Sequence, residues 1–99
     1  MMYLTVSERW ILKTSAQWIG ATFTNNGLTV SVHKSTSMET AVSAQFYVHN
    51  NGELCARFYR ETADGIYAST KYRSVRGPSA VAEIMREFAD YAFAEMEGE

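Results

Sequence analysis

Apolar and polar residues alternate along most of the chain between residues 19 and 74, with the period of two that is typical of a β-strand with one buried face. Two of the breaks between these runs contain the tripeptide Asn-Asn-Gly, at residues 25–27 and 50–52. Asn-Gly between alternating apolar residues is the strongest short-range signal for a β-hairpin. The pattern therefore predicts an antiparallel meander joined by tight turns.

The first Asn-Asn-Gly is predicted to form a two-residue loop at Asn26 and Gly27. This loop pairs Phe23 with Val30 and keeps Leu28 on the same apolar face as Val30. A loop longer by one residue would put the apolar residues of the two strands on opposite faces of the sheet. We therefore predict a type I′ turn, in which Asn26 and Gly27 both have positive φ.

The second Asn-Asn-Gly needs a loop of three residues, 50–52, because only this length pairs Val48 with Leu54 and Phe46 with Ala56. We expect a type I turn followed by Gly52 in a bulge. The same letters thus predict two different turns, and the flanking pattern selects between them.

Two further connections complete the predicted sheet. The segment ETADGIY is expected to turn at residues 63–65, which pairs Arg60 with Ala68 and leads into a last strand at residues 66–74. The polar stretch at residues 33–40 has no tight-turn signal and is predicted to be a loop.

A helix is predicted at the C-terminal end of the sequence. Pro78 suits the first helical position, and Ser79 is a candidate cap. The apolar residues that follow recur at helical spacing over an arc of about 200°, which is wider than the ~100° that packing on one sheet requires. A second layer is therefore expected over Phe93 and Met96, formed either by the N-terminal segment or by a partner chain.

The N-terminal segment fits a helix slightly better than a strand, and both alternatives stay open. Thr5 and Glu8 have the spacing of a capping box. Trp10 and Trp18 would then share one helical face, where core packing is the expected role and a binding interface is the alternative. Residues 1–99 are accordingly expected to form a single α+β domain, with about five strands in an antiparallel meander and the C-terminal helix on the apolar face.

The predicted registers also place tyrosine and basic side chains on the face of the sheet opposite the helix. Arg57 lies opposite Lys71, an unfavourable pairing of like charges, and Arg73 is diagonal to it. Such a face is typical of sheets that bind single-stranded nucleic acid, although tyrosine, arginine and lysine are also common on solvated strands. The candidate binding residues are Tyr47, Arg57, Tyr59, Tyr67, Lys71 and Arg73.

Charge is divided unevenly along the chain. Residues 1–76 contain eight basic and five acidic residues, whereas residues 77–99 contain one basic and six acidic residues. The pI of about 5.7 is far from the strongly basic values that make nucleic acid the default partner. The acidic stripe of Glu83, Glu87 and Asp90 is expected to be a solvated helix face, with contact to a basic partner as the alternative.

The same composition excludes several other classes of function. No apolar run approaches the ~20 residues that cross a bilayer, and no signal peptide is expected. Cys55 is the one cysteine, which favours a reducing, cytoplasmic setting. His49 and Cys55 would be diagonal neighbours, but no pocket or orienting motif accompanies them, so we expect no catalysis, metal or cofactor.

Two hypotheses of function follow. The first is a small non-enzymatic protein-binding module that inhibits, adapts or regulates a larger protein, of the kind carried by phage or other mobile elements. Its candidate interface comprises Trp10, Trp18, Phe93, Met96, Glu83, Glu87 and Asp90. The second is a single-stranded nucleic-acid binder that uses the tyrosine and basic face. A homodimer is compatible with both, through an uncovered sheet edge or the Phe93 side of the helix.

Overall fold

The computed structural model describes residues 3–97 and shows an α+β fold. In chain order its elements are α1 (Val6–Trp18), β1 (Thr22–Asn25), β2 (Val30–Ser35), β3 (Ala41–Val48), β4 (Leu54–Thr62), β5 (Gly65–Ser74) and α2 (Pro78–Glu97). The five strands form one antiparallel sheet in the order β1-β2-β3-β4-β5. The predicted meander and C-terminal helix are confirmed, and the N-terminal segment is a helix.

Both helices pack on the same face of the sheet, and the hydrophobic core lies between the two layers. The ring of Phe58 is central to this core. Its centroid lies 5.3 Å from that of Phe88 and 5.6 Å from that of Tyr91, both on α2, and 4.9 Å from that of Tyr72 on β5. Aromatic pairs at such distances stabilise a core beyond the area that they bury.

The predicted capping box opens α1. The Thr5 side chain accepts a hydrogen bond from the backbone N–H of Glu8, and the Glu8 carboxylate accepts one from the backbone N–H of Thr5. Two otherwise unpaired donors at the helix start are satisfied in this way. Leu12 and Ala16 follow one and two turns after Glu8 and are buried against the core, so one side of α1 faces the sheet.

The first hairpin differs from the prediction. Phe23 pairs with Val32 rather than Val30, the loop contains the four residues 26–29, and Asn26 does not have positive φ. Arg9 of α1 explains the longer loop, because its guanidinium donates hydrogen bonds to Asn25 Oδ1 at 2.6 Å and to the Gly27 carbonyl at 2.8 Å. The register is shifted by two residues, which keeps every strand side chain on its predicted face.

The same change moves Leu28 out of the sheet. Leu28 lies in the loop and is exposed, so its predicted place on the apolar face is wrong. The four-residue loop leaves it with no strand partner, whereas Val30 and Val32 on the next strand are buried.

The second hairpin is confirmed in detail. Val48 pairs with Leu54 and Phe46 with Ala56, around a loop of residues 50–52. Gly52 has a φ of 90°, and its N–H donates to the His49 carbonyl at 2.8 Å. A left-handed backbone at this position is what a type I turn followed by a glycine bulge requires.

The third hairpin is half confirmed. Ala56 pairs with Tyr72 and Arg57 with Lys71, as predicted, but beyond Phe58 the register shifts by one residue. The turn contains only two residues, 63 and 64, and the extra residue is taken up in β5 by a bulge. The predicted pairing of Arg60 with Ala68 is therefore wrong, because Arg60 pairs with Tyr67.

The polar stretch at residues 33–40 is partly strand, so the predicted loop is shorter than expected. His33, Lys34 and Ser35 pair with β3, and a short turn remains at residues 36–40. The backbone N–H groups of Thr36 and Ser37 both donate to the Thr40 carbonyl, which closes this turn. The hydroxyls of Thr36 and Ser37 also lie 2.6 and 2.7 Å from the Thr40 hydroxyl. Threonine and serine side chains thus replace the glycine signal that marks the other hairpins.

The helix α2 begins at Pro78, as predicted. Gly77, and not the candidate cap Ser79, is the residue immediately before its first turn. The N-terminal segment supplies part of the expected second layer, since α1 packs beside α2 and its last turn reaches Met85 and Ala89. Phe93 and Met96 lie beyond this point, and α1 does not cover them: they are 44% and 41% exposed. Neither helix of the described residues is long and apolar enough to cross a membrane.

An ion pair between Glu8 and Arg76 joins the start of α1 to the segment that precedes α2. The guanidinium of Arg76 donates to both carboxylate oxygens, at 2.6 and 3.1 Å. The backbone N–H groups of Thr5 and Gly77 complete the site, at 2.8 and 3.0 Å. Arg76 also donates to the Tyr3 carbonyl at 3.0 Å. The Glu8 side chain is only 1% exposed, so these four donors replace its contact with water.

The surroundings of Glu8 determine its ionisation. Burial alone raises the pKa of this carboxyl group. The hydrogen bonds from Arg76, Thr5 and Gly77, together with the positive charge of Arg76, outweigh burial and lower the pKa from 4.5 to about 2. The carboxylate is therefore charged in the folded protein at all but very acidic pH.

Replacing Arg76 should destabilise the fold strongly. The variant Arg76→Met leaves the Glu8 carboxylate buried without its cation, and breaking a buried pair in this way costs about 3–5 kcal/mol. The free energy of unfolding can be measured by urea titration followed by circular dichroism. Arg73→Met, at an exposed arginine three residues earlier, is the matched control and should change stability by less than about 0.5 kcal/mol. Equal stability of the two variants would contradict the role of the pair.

The ion pair should also make stability depend on pH. The folded-state pKa of Glu8 is below its ordinary value, so its contribution is complete above about pH 4.5 and is lost as the pH falls through about 2. A difference of this size corresponds to about 3 kcal/mol. The unfolding free energy of the wild type should therefore fall more steeply between pH 4.5 and 2 than that of Glu8→Gln. Parallel pH profiles for the two proteins would show that Glu8 is not the group responsible.

Candidate interaction surfaces

The face of the sheet opposite the helices is not covered by any other element of the described residues. Its character changes across the sheet. On β1, on β2 and at Ser43 and Gln45 of β3 this face carries polar side chains, among them His33. From Tyr47 of β3 across β4 to β5 it carries tyrosines and cations. We call this second region the basic face and define it by Tyr47, Arg57, Tyr59, Lys71 and Arg73.

The registers of β3, β4 and β5 bring these five residues together. Arg57 pairs with Lys71, and Cys55, next to them, pairs with both Tyr47 and Arg73. Paired residues in a sheet have their Cβ atoms about 5 Å apart, so Arg57 and Lys71 concentrate positive charge at the middle of the face. Both side chains, and that of Arg73, are exposed.

Tyr67 does not belong to this face. The bulge in β5 pairs it with Arg60 instead of Glu61, and paired residues point to the same side of a sheet. Arg60 lies on the helix side, where its Nε is 3.0 Å from a carboxylate oxygen of Glu95 on α2. Tyr67 is therefore directed to the helix side, and its predicted place on the basic face is wrong.

Cys55 is the one member of these rows that is fully buried. Its neighbour Tyr47 is partly buried, and burial is the main cause that raises the pKa of the Tyr47 hydroxyl. The Cys55 thiol raises the pKa further, and the positive charges of Arg57 and Arg73 lower it by less. Tyr47 therefore keeps its proton at neutral pH and can act as a hydrogen-bond donor beside two cations.

The positive charge of the basic face is not neutralised by any described side chain of residues 3–96. Arg57, Lys71 and Arg73 form no ion pair there. The acidic residues of β4 and its preceding turn lie at the ends of the strand: Glu53 accepts a hydrogen bond from Asn51, and Glu61 lies 3.9 Å from His33. The arrangement can attract an anion to the centre of the face.

His49 and Cys55, the candidate catalytic pair, show no contact with each other among the described residues. His49 Nδ1 accepts a hydrogen bond from the backbone N–H of Asn51, which holds it in its own turn. The Cys55 thiol is directed to the Glu53 carbonyl at 4.0 Å.

A second surface is built on α1. Trp10 and Trp18 are 61% and 89% exposed, so the expectation that they pack in the core is wrong. They lie on the side of α1 opposite Leu12 and Ala16, and Val6 is exposed on the same side. We call Val6, Trp10 and Trp18 the tryptophan surface.

Two shallow hollows adjoin this surface along the line where α1 meets α2. The first, about 250 Å³ in volume, is lined by Val6, Ser7, Trp10, Ile11 and Pro78. The second, about 220 Å³, lies beside Trp18 and is lined by Ser15, Trp18, Ile19, Ala82, Met85, Arg86 and Ala89. Each tryptophan thus stands at the rim of a mainly apolar depression, a shape that a protruding side chain of another protein can fill.

The predicted acidic stripe is exposed on α2. Glu83 and Glu87 border a third concave site, a cleft of about 390 Å³ between α2 and β5. Its walls are formed by Tyr72, Arg73, Ser74, Ala80, Glu83, Ile84, Arg86 and Glu87. Asp90 is not among these lining residues.

The sequence interpretation missed the hollows and the cleft, because each requires two elements that are distant in the chain. The sequence pattern predicts Pro78 only as the first residue of a helix and does not single out Val6. A helical-wheel projection of α1 would have shown Val6 beside Trp10 on the face opposite Leu12, once the helix was accepted. No protein-family model, curated protein or solved structure matches this chain.

Proposed function

We propose that this protein is a small, non-enzymatic binding module that attaches to a larger protein through the tryptophan surface and so inhibits, adapts or regulates it. The observation that carries the proposal is the exposure of Trp10 and Trp18 on one helix. Tryptophan is enriched among the residues that dominate binding energy, and contiguous exposed apolar surface marks an interaction site.

The chemistry of the surface indicates what the partner presents. The two hollows accept apolar side chains, and Lys13 is exposed on α1 between Trp10 and Trp18. Arg86 borders the second hollow. A partner with an apolar ridge and carboxylates at its margin would match both features. Small inhibitors and adaptors carried by phage or other mobile elements are of this kind, and the single cysteine favours a cytoplasmic setting.

The exposed end of α2 offers a further contact. Phe93 and Met96 lie past the end of α1. The wide apolar arc of α2 favours a second copy of the chain, instead of a different protein, as the partner that covers these two side chains. Sedimentation of the purified protein distinguishes a dimer from a monomer that is free to bind another protein.

The tryptophan surface is tested with Trp10→Ala, Trp18→Ala and the double variant, with Met38→Ala and Tyr67→Ala, at exposed side chains outside this surface, as matched controls. Affinity capture from the native lysate is compared by quantitative mass spectrometry. A partner recovered by the wild type and both controls should be depleted in the double variant, because a tryptophan hot spot contributes about 2 kcal/mol, or about 30-fold in affinity. Folding should be unaffected, since both side chains are exposed.

Fluorescence gives an independent measurement, because Trp10 and Trp18 are the two tryptophans of the chain. In the free protein acrylamide should quench both, and binding of the captured partner should protect them and shift their emission to shorter wavelength. Unchanged capture by the double variant, or unprotected tryptophans in the complex, would contradict this assignment.

The basic face supports a second candidate, the binding of single-stranded nucleic acid. The specific observation is that Arg57, Lys71 and Arg73 lie on an uncovered sheet face with Tyr47 and Tyr59 beside them. Cations can contact the phosphates while tyrosine rings stack on the bases. The modest total basicity of the chain makes it the weaker of the two proposals.

Titration of fluorescently labelled oligo-dT at several salt concentrations tests this candidate. Three phosphate contacts predict a slope of about −2 in log K against log salt, so the affinity should fall about 100-fold for a tenfold rise in salt. Arg57→Ala should reduce that slope by about 0.7. Tyr59→Ala should weaken binding by about 1–3 kcal/mol, whereas Tyr67→Ala, on the other side of the sheet, is the matched control. Absence of binding at low salt, or binding that salt does not weaken, would end the candidate.

A further inference from the structure

The two edges of the sheet are very different. The edge strand β1 has four residues, contacts α1, and is tied to that helix by the bonds from Arg9 to Asn25 and Gly27. The edge strand β5 has ten residues, and no described segment pairs with its outer side. A long unpaired edge presents a row of backbone donors and acceptors that another strand can join.

The α2 side of this edge carries the cleft of about 390 Å³. Tyr72, held by its ring contact with Phe58, and Ile84 contribute its apolar part. Glu83 and Glu87 of α2 border it together with Arg73 and Arg86, and neither carboxylate forms an ion pair within residues 3–96. The register directs the Arg73 side chain to the uncovered face, so on the α2 side two carboxylates stand beside one cation, Arg86. A side chain with an apolar stem and a cationic end, such as lysine or arginine, fits this combination.

The opposite side of the same edge is basic. Lys71 and Arg73 alternate with Tyr72 and are directed to the uncovered face of the sheet. Side chains of an added strand would alternate in the same way, one set toward α2 and the next toward the uncovered face. The C-terminal half of β5 is therefore flanked by two carboxylates of α2 on one side and carries two cations on the other.

We propose that β5 accepts an extended segment of a partner protein as a sixth strand, with lysine or arginine facing Glu83 and Glu87 and with aspartate or glutamate facing Lys71 and Arg73. The surface is separate from the tryptophan surface, and the inference goes beyond the function proposed above. Backbone hydrogen bonds would hold the segment, and the two sets of charges would select its sequence.

A second copy of β5 does not fit the same site. In a symmetric antiparallel pair the helix side of one copy continues as the helix side of the other. The side chains of β5 that point to that side are uncharged, so no cation would reach Glu83 and Glu87. The other side carries no acidic side chain of β5 to meet Lys71 and Arg73. Self-pairing would leave both sets of charges unmatched.

The probe for this proposal is the capped peptide Val-Glu-Lys-Glu-Val-Glu-Lys-Glu-Val, in which lysine and glutamate fall on opposite faces of a strand. Two controls have the same composition: a peptide whose lysines and glutamates share both faces, and the fully N-methylated probe, which has no backbone donors. Binding is followed in the full chain by amide chemical shifts and hydrogen exchange. Slower exchange and shifts should appear in the second half of β5 and near Glu83 and Glu87, and not in β1.

Protein variants separate this site from the other surfaces. Glu83→Gln combined with Glu87→Gln should weaken the peptide about tenfold, because two charge-assisted hydrogen bonds would be lost. Trp10→Ala combined with Trp18→Ala should leave peptide affinity unchanged, so failure of this proposal and failure of the tryptophan surface give different results.

Four outcomes would overturn the proposal. The first is the absence of any shift in β5 at about 1 mM peptide, the weak limit of specific binding, and the second is equal binding of the N-methylated or mixed-face peptide. The third is a set of shifts confined to Arg57 and its neighbours on the basic face. The fourth is concentration-dependent pairing of β5 with itself in the free protein.

Discussion

The buried ion pair of Glu8 and Arg76 is the contact on which the arrangement of the layers depends. It joins residues that are 68 positions apart and fixes the first turn of α1 beside the first turn of α2. A carboxylate that is almost completely buried is tolerated only when its donors are all in place. If α1 moved to the other side of the sheet, the Glu8 carboxylate would be exposed or would lose its hydrogen-bond donors. Both helices must therefore share one face of the sheet.

Three exposed surfaces of the protein are geometric results of that constraint. Two helices on one side leave the other side of a five-stranded sheet uncovered, which exposes the basic face. The helix α1 has 13 residues and α2 has 20, so the last turns of α2 extend past their neighbour and leave Phe93 and Met96 half exposed. With the core side of α1 facing inward at Leu12 and Ala16, the opposite side can only present its tryptophans to solvent.

Alternation of apolar residues predicts which face of the sheet each strand residue occupies. This prediction is correct except where the bulge in β5 adds a residue to the strand. The second hairpin and the rows of Arg57 and Lys71 follow from it. Contacts from outside the strands lie beyond such a pattern. The longer first loop depends on Arg9, and the ion pair of α1 depends on a residue 68 positions further along the chain. The exposure of the tryptophans was missed because an amphipathic pattern shows that a helix has two sides but not that an aromatic side faces water.

The bulge in β5 has a consequence for the evolution of this fold. Ser69 and Thr70 together oppose the single residue Phe58, and the Ser69 hydroxyl is 3.4 Å from the Phe58 carbonyl. Loss of one residue here would restore an unbroken ladder in which Tyr67 still pairs with Arg60 and Lys71 with Arg57, so every remaining side chain would keep its side of the sheet. In descendants of this sequence, the length of the chain can therefore vary by one residue at the bulge without moving any aromatic or charged side chain to the other face of the sheet.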